Sequence, residues 1–282
     1  MKFSIIIPAY NEEAFIAKTL DSLVAQTLQP HQVILVDDSS TDRTAHIAKE
    51  YAEKHHFIEV ITRSSEAMHL PGSKVIQNFN YGLPHLKNDY DILCKYDSDL
   101  IFPENYLEKV AKTFQNDPKI GMAGGFCYIE KNGNWVLESL TNKDHIRGAL
   151  KAYRKECFAE INGLKPAMGW DTIDELLAQY HGWKIETDES LHVKHLKPTG
   201  ATYSAKAKYK QGEAFYRMRY GYLLTLIASA KLASKKGKLQ FLSDYLKGYR
   251  LAQKQNLPFL VSEDEGKFIR DLRWKKIRQK LF

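Results

Sequence analysis

The chain has 282 residues, 44% hydrophobic and 27% charged, so it is long enough to bury a large core and too apolar to be disordered throughout. Its formal charge of +7 is unevenly divided: residues 201–282 hold 19 of the 41 Lys and Arg and 6 of the 34 Asp and Glu, a net of +13, against −6 for residues 1–200. Cys94, Cys127 and Cys157 lie far apart with no paired or metal-ligand spacing, which argues against a disulfide framework or a zinc site and for reduced core residues.

Phe3 to Pro8 is apolar, β-branched and closed by a breaker, the pattern of a buried strand. The run is too short for a signal peptide, so a cytoplasmic protein is expected. Ala9-Tyr10-Asn11-Glu12-Glu13 reads as a turn with Asn11 as a helix cap. Phe15, Ile16, Leu20, Leu23 and Val24 then recur at helical spacing, and Val33-Ile34-Leu35-Val36 is a second buried strand closed by Asp37-Asp38-Ser39-Ser40. Ser40 or Thr41 is placed to cap the helix predicted over Thr44 to Lys54, and Ile58 to Ile61 returns as a third strand. Alternation continues through Val75–Leu86, Ile92–Tyr96, Tyr106–Phe114 and Ile120–Ala123. It predicts an α/β fold with a mostly parallel central sheet between two helical layers, Rossmann-like in its winding. After about residue 200 the strand pattern stops, and Tyr209–Phe282 reads as helical and basic.

In open sheets of this kind ligands bind beyond the carboxyl ends of the strands. Three polar clusters fall there: Ala9–Asn11, Asp37–Ser40 and Asp97–Asp99. No GxGxxG follows the first strand and no GxxxxGK[ST] occurs, which weakens dinucleotide and P-loop readings. Asp97-Ser98-Asp99 suits a hard cation such as Mg2+ or Mn2+, though two aspartates in a loop are also common turn and cap residues. Asp37 and Asp38 can accept hydrogen bonds from a nucleobase or ribose, or close a polar turn.

Ser4 to Glu13, followed by Leu20-Asp21-Ser22-Leu23 and Gln26-Thr27 and then Val33 to Asp42, resembles the opening of the family 2 glycosyltransferases, inverting enzymes of GT-A fold that use nucleotide-diphosphate sugars. The resemblance covers about the first 200 residues. It implies a catalytic domain over 1–200, with nucleotide-sugar binding over about 1–125 and the acceptor side over about 126–200, and a basic helical extension over 201–282. It places Pro8, Ala9, Tyr10 and Glu12 in the nucleoside pocket and Asp38 at the base, with a UDP-sugar the favoured donor. Asp97 and Asp99 match the family's Asp-x-Asp, so that Asp97 and Ser98 approach the donor and Asp99 holds Mn2+ or Mg2+. Lys74 stands where related sequences carry a basic residue near the diphosphate. Counting back from Gly182-Trp183-Lys184-Ile185 puts Asp171 at the aspartate of a Glu-Asp pair, with Trp170 in place of the glutamate, and so makes Asp171 the general base rather than Asp174 or Glu175. His195 falls where such enzymes supply a late metal-binding histidine, and His192 is the weaker candidate.

Lys197 to Gly212 is punctuated by Pro198 and Gly200 and carries Lys206, Lys208 and Lys210, as expected of a mobile segment closing over a donor. Tyr220 to Ala233 is apolar with cationic flanks but shorter than a membrane span, and Phe268 to Phe282 mixes an imperfect stripe of Ile269, Leu272, Ile277 and Leu281 with many cations. Peripheral attachment to the inner face of a membrane, or packing on the catalytic domain, is expected of both. The reading is a transferase moving a sugar to a hydroxyl of a glycan or lipid-linked acceptor, in surface polysaccharide or glycolipid synthesis. A nucleotidyltransferase would need a glycine- and basic-rich loop at Ala9-Tyr10-Asn11-Glu12, a non-catalytic GT-A-like binding protein would be expected to lack Asp99 or Asp171, and no aromatic-basic motif supports nucleic-acid binding.

Overall fold

The computed structural model describes residues 1–64, 73–138, 143–197, 208–235 and 237–281. The chain runs β1 (Phe3–Ala9), α1 (Ile16–Val24), β2 (Gln32–Asp37), α2 (Thr44–Lys54), β3 (Ile58–Thr62), α3 (Lys74–Gly82), β4 (Ile92–Tyr96), β5 (Leu100–Ile101) and α4 (Tyr106–Asn116). It continues through β6 (Ile120–Lys131), β7 (Asn134–Leu137), β8 (Leu150–Arg154), α5 (Lys155–Glu160), α6 (Trp170–Tyr180) and β9 (Lys184–His195) to α7 (Lys210–Arg217), α8 (Gly221–Lys235), α9 (Gln240–Lys254) and α10 (Glu263–Leu281).

The apolar runs become the interior strands for the reason their composition suggests: β1, β2 and β4 are buried along their whole length, so both faces must be hydrophobic. The strand order is β3-β2-β1-β4-β8-β6-β9-β5, with β7 on β6. The β1, β2, β3 and β4 pairings are parallel, as is β6 with β9, while β8 enters antiparallel between β4 and β6. The carboxyl ends of β1, β2 and β4 thus open on one edge, and β9 brings His195 to it by pairing with β5 at Leu100, next to Asp99.

Two turns differ from their expected form. Asn11 does not cap α1; it adopts a left-handed backbone (φ 54°) and its Oδ1 accepts the Thr41 amide at 2.8 Å, tying the β1 loop to the β2 loop. At α2 neither Ser40 nor Thr41 caps: Asp42 Oδ1 accepts the Thr44 amide at 2.9 Å, while Ser40 Oγ accepts the Asn11 amide at 3.0 Å. A carboxylate two residues ahead reaches the first helical amide, which the hydroxyls of Ser40 and Thr41, farther back in the chain and turned toward Asn11, do not.

Cys94, Cys127 and Cys157 are buried thiols. The core is continuous from Phe3 and Ile5 to Phe215, Leu224 and Ile269, so α7 to α10 share it with the sheet domain. Ile269 is fully buried, Leu272 and Ile277 pack against the core, and the Phe268 ring meets Tyr180 of α6. The stripe on α10 therefore serves packing. Among the described residues no helix is long and apolar enough to cross a membrane.

Candidate active site

At the ends of β1 and β2, Pro8 and Ala9 are buried while Tyr10 is half exposed. Asp37 turns back to accept the Ser40 amide, a turn role, whereas buried Asp38 pairs through Oδ2 with Lys74 Nζ at 2.8 Å. Lys74 also lies 5.0 Å from the centre of the Tyr10 ring. Lys74 therefore stands at the Asp38 side of the edge, at the first turn of α3. Glu12 faces the other way, toward Asp97 and Asp99; burial foremost, then these two acids, raise its pKa against the opposing pull of Lys197, whose Nζ is 3.0 Å from Glu12 Oε1.

Beyond β4, Asp97 leans on Lys95, an ion pair in which the lysine is almost wholly buried. Lys95 Nζ also donates to the Gly148 carbonyl at 3.0 Å and lies over the Trp170 ring, so Asp97 is anchored from below while a third of its side chain stays open. Ser98 is buried, and its carbonyl accepts Thr19 Oγ1 at 2.8 Å. Asp99 presents Oδ2 to His195 Nε2 at 3.5 Å, and its buried Oδ1 has no hydrogen-bond partner. The other nitrogen of His195, Nδ1, meets Glu138 Oε2 at 3.0 Å, and Glu138 in turn meets Arg147 at 3.1 Å. Burial works against charge on His195, yet the hydrogen bonds to Asp99 and Glu138 outweigh it and hold its pKa near about 9.

This arrangement fits a hard divalent cation. A buried carboxylate oxygen without a partner, a carboxylate-buttressed imidazole and two further acids nearby supply the oxygen and nitrogen donors and the negative charge that Mn2+ or Mg2+ requires. Cys127 lies with Glu138 and His195 in one buried group, but burial pushes its thiol up to about 12, so it offers no thiolate to a softer metal. Glu138, His145 and Arg147 had no sequence signal: no motif surrounds them, and only the pairing of β6 with β7 and β9 brings Glu138 to His195.

On the far side, α6 begins at Gly169, which takes a left-handed backbone (φ 80°), and turns its three acids differently. Asp174 and Glu175 are buried on Lys151 Nζ at 2.8 and 3.2 Å, with the Tyr153 hydroxyl donating to Asp174 at 2.6 Å. Asp171 keeps about 35% of its side chain exposed. His145 bridges the set, with Nδ1 2.9 Å from Glu175 and Nε2 3.6 Å from Asp171. Burial alone would raise the Asp171 pKa, but His145 and Lys151 overcome it and hold the carboxyl down to about 2, while the same carboxylates lift His145 to about 9. Trp170, standing where the resembled motif has a glutamate, lays its ring beside both buried lysines, 5.3 Å from Lys95 Nζ and 5.7 Å from Lys151 Nζ. It joins the Asp97 and Asp171 sides through cation–π contacts. The open face of Asp171 borders a cavity of about 530 Å³ between α6, α7, α8 and α10.

His192 is exposed on β9, with its ring against Tyr128 and Nε2 near the Glu189 carbonyl, away from this edge. Of the segment expected to close over a donor, residues 198–207, Lys206 among them, lie outside the described residues, as do Pro71 and Gly72 ahead of Lys74. Lys208 pairs with Asp244 and Lys210 with Glu213.

A family model described as Glycosyl transferase family 2 matches residues 4–164. The poly(ribitol-phosphate) beta-glucosyltransferase of Bacillus spizizenii is 34% identical over 151 residues, 51% of this chain and 22% of that protein. The chain spans between 19% and 56% of the length of the first curated relatives it matches. Among solved structures, S. aureus TarS 1–349 in complex with UDP-GlcNAc aligns with a TM-score of 0.58 at 19% identity, over 95% of this chain and 78% of that one. The mannosyltransferase PcManGT from Pyrobaculum calidifontis, in complex with GDP-Man and Mn2+, aligns with a TM-score of 0.57 at 15% identity, over 100% and 81%.

Proposed function

Because the chain belongs to glycosyl transferase family 2 and has the GT-A fold, we propose that this glycosyltransferase moves a sugar, with inversion, from a nucleotide-diphosphate donor to a hydroxyl acceptor in surface polysaccharide or glycolipid synthesis. The observation that carries the mechanism is the contrast on α6: of three neighbouring acids, Asp174 and Glu175 are buried on Lys151, whereas Asp171, which borders a cavity, keeps about 35% of its side chain exposed.

In the proposed reaction the acceptor oxygen attacks the anomeric carbon. The bond from that carbon to the diphosphate oxygen breaks with its electron pair, and the acceptor proton passes to an Asp171 carboxylate oxygen. A pKa near about 2 keeps Asp171 ionised at physiological pH. It makes the residue a weak base, which suffices because the acceptor oxygen becomes acidic only as its new bond to carbon forms. Asp38, at the nucleoside end, is a hydrogen-bond acceptor suited to the N–H of a uracil, and UDP-sugars are the favoured donors. Asp99 and His195 would hold Mn2+ or Mg2+, which supplies charge neutralisation for the departing diphosphate. Lys95 and Trp170 keep Asp97 fixed beside it.

The Lys-rich C-terminal helices suit a peripheral contact with an anionic membrane, and α8 is the element that offers it: Tyr222, Leu223 and Leu226 are exposed there. A thermal-shift panel of UDP, GDP and dTDP with Mn2+ identifies the donor nucleotide, since a ligand of the native state raises its stability. Asp171→Asn is expected to keep that shift and to lose turnover of the matching nucleotide-sugar by roughly a thousandfold or more, within the range for a catalytic base. Absence of any nucleotide shift, or near-normal turnover in the variant, sinks the reading.

A further inference from the structure

The loop ahead of β8 reaches both halves of the site within five residues, His145 to Ala149. Arg147 pairs with Glu138 at 3.1 Å, and Glu138 holds His195 at 3.0 Å beside Asp99. The Gly148 carbonyl accepts Lys95 Nζ at 3.0 Å, and the Ala149 carbonyl accepts the Asp97 amide at 2.8 Å. At the other end of the loop His145 turns to α6, with Nδ1 2.9 Å from Glu175 and Nε2 3.6 Å from Asp171. The loop cannot slide along that helix. The Ile146 amide donates to Glu175 Oε1 at 2.9 Å, and a Cβ at Gly148 would stand 2.8 Å from the Trp170 ring and 3.2 Å from Asp171 Cβ.

Two acids on one histidine demand its charged form. A neutral imidazole has a single N–H, so a ring that donated it to Glu175 would aim a lone pair at Asp171; only the imidazolium donates on both sides. Glu175 is itself fixed by Lys151 at 3.2 Å, which pins His145 at Nδ1. On the Asp171 side, 3.6 Å is an ion pair and too long for a hydrogen bond. It orients that carboxylate by charge and leaves its oxygens free to accept a proton. Most other charges around His145 are matched: Lys151 by Asp174 and Glu175, Arg147 by Glu138, and Asp144 by Lys276 of α10 at 2.9 Å. Lys231, Lys235 and Arg273 line the same cavity from α8 and α10. Burial and Lys151 oppose charge on His145, yet the two acids in contact with it prevail and hold its pKa at about 9.

On the reading that the chain is a glycosyltransferase with Asp171 as base, we propose that His145, as an imidazolium pinned on Glu175, is a positioning residue of the transfer: it aims the Asp171 carboxylate and fixes it relative to the acidic edge held by the same loop. The base then works within a pH window that its neighbour sets. Asp171 is ionised above about 2 and His145 charged below about 9, so transfer should hold level between these limits and fall as His145 loses its proton.

The first test needs no substrate. Histidine 15N–1H spectra of the full chain, assigned by the signal lost in His145→Gln, should show a ring protonated on both nitrogens at pH 7, with a midpoint that falls in Asp171→Asn. A neutral ring at pH 7, or a midpoint that Asp171→Asn does not move, overturns the proposal. The second test reads nucleoside diphosphate released from UDP-glucose, or from the GDP- or dTDP-sugar if the thermal shift selects that nucleotide. Water is the acceptor, and it loses its proton to the same carboxylate as its oxygen bonds to the anomeric carbon. His145→Gln should lower kcat by up to ~100-fold, the order expected of a reacting group misplaced by about 1 Å, with the donor KM within ~2-fold of wild type. Its acid limb should move to higher pH, because burial of Asp171 is then less opposed, and its alkaline limb should vanish. His145→Lys keeps the charge, so it should recover most of the rate at pH 7 and carry the alkaline limb above about 9. An unchanged kcat or an unchanged pH profile in His145→Gln, or no recovery in His145→Lys, overturns the positioning role and leaves the glycosyltransferase reading intact. All variants should keep the wild-type thermal shift with the donor nucleotide, which shows that they fold. Absence of every nucleotide shift in the wild-type chain removes that reading, and this proposal with it.

Discussion

His195 carries two competing partners, a proton and a cation. Its pKa is near about 9, because Glu138 and Asp99 stabilise the imidazolium more than burial disfavours it, and a metal ligand must be neutral at the coordinating nitrogen. Binding of Mg2+ at pH 7 should therefore displace a proton, and affinity should rise by up to ~10-fold per pH unit from 7 until it levels near 9. Glu138→Gln removes one stabilising carboxylate, lowers the folded pKa and starts that plateau at lower pH, while costing ~10–100-fold in affinity on the plateau itself. Calorimetry in buffers of different ionisation enthalpy reads both; affinity independent of pH across this window would place the cation elsewhere. Asp38, Asp97 and Asp99 stand out in the sequence because each follows an apolar run, whereas Asp171 stands out only through the family resemblance, counted back from Gly182-Trp183-Lys184-Ile185. Glu138 and His145 do not: their importance lies in whom they face, and that is decided by side-chain contacts between residues 57 and 30 positions apart.

At the scale of elements, burial on both faces made β1, β2 and β4 readable, and the same rule hid β8. Its Lys151 interrupts the apolar pattern, yet the side chain is fully buried because Asp174, Glu175 and the Tyr153–Asp174 hydrogen bond complete its surroundings across the interior. The lengths of β6 and β9 were equally hidden, since bulges near Met122 and Phe126 break the alternation of their side chains. The crossing of α7 and α9 gives a test of an element's own packing. A Cβ at Gly248 would stand 2.1 Å from the Tyr209 carbonyl oxygen, and one at Gly212 1.8 Å from that of Tyr245, so these helices touch backbone to backbone. Gly→Ala inside a helix ordinarily stabilises by about 0.5–1 kcal/mol. Here the obstacle is main chain and cannot rotate away, so Gly248→Ala should instead destabilise by about 1–3 kcal/mol. A raised melting temperature in the variant would refute the close crossing.

Across the whole molecule, charge is sorted: −6 in residues 1–200, which hold the acidic edge, and +13 in residues 201–282, which hold the helices. The sequence announced that division but not its consequence, since the apolar residues of α10 that looked free for a membrane are spent on α6 and the core. What remains outward is on α8 and just after it: Tyr222, Leu223 and Leu226, with Leu239 at 84% exposure beside the exposed Lys238. Each lysine near an anionic surface contributes about 1 kcal/mol, and screening shortens that attraction from about 10 Å at 0.1 M salt to about 3 Å at 1 M. The protein should therefore sediment with vesicles containing phosphatidylglycerol at low salt and largely release at 1 M. Leu223→Glu with Leu226→Glu should abolish sedimentation at either salt while leaving the nucleotide shift unchanged, because α8 turns Leu223 and Leu226 outward and the acidic edge lies at the ends of β1, β2 and β4. Removal of charge at α10, by Lys275→Glu, should matter less, since the face of that helix is already committed to packing. Equal sedimentation with neutral and anionic vesicles would show that the lysines take no part in the contact, and none with either would overturn the membrane contact.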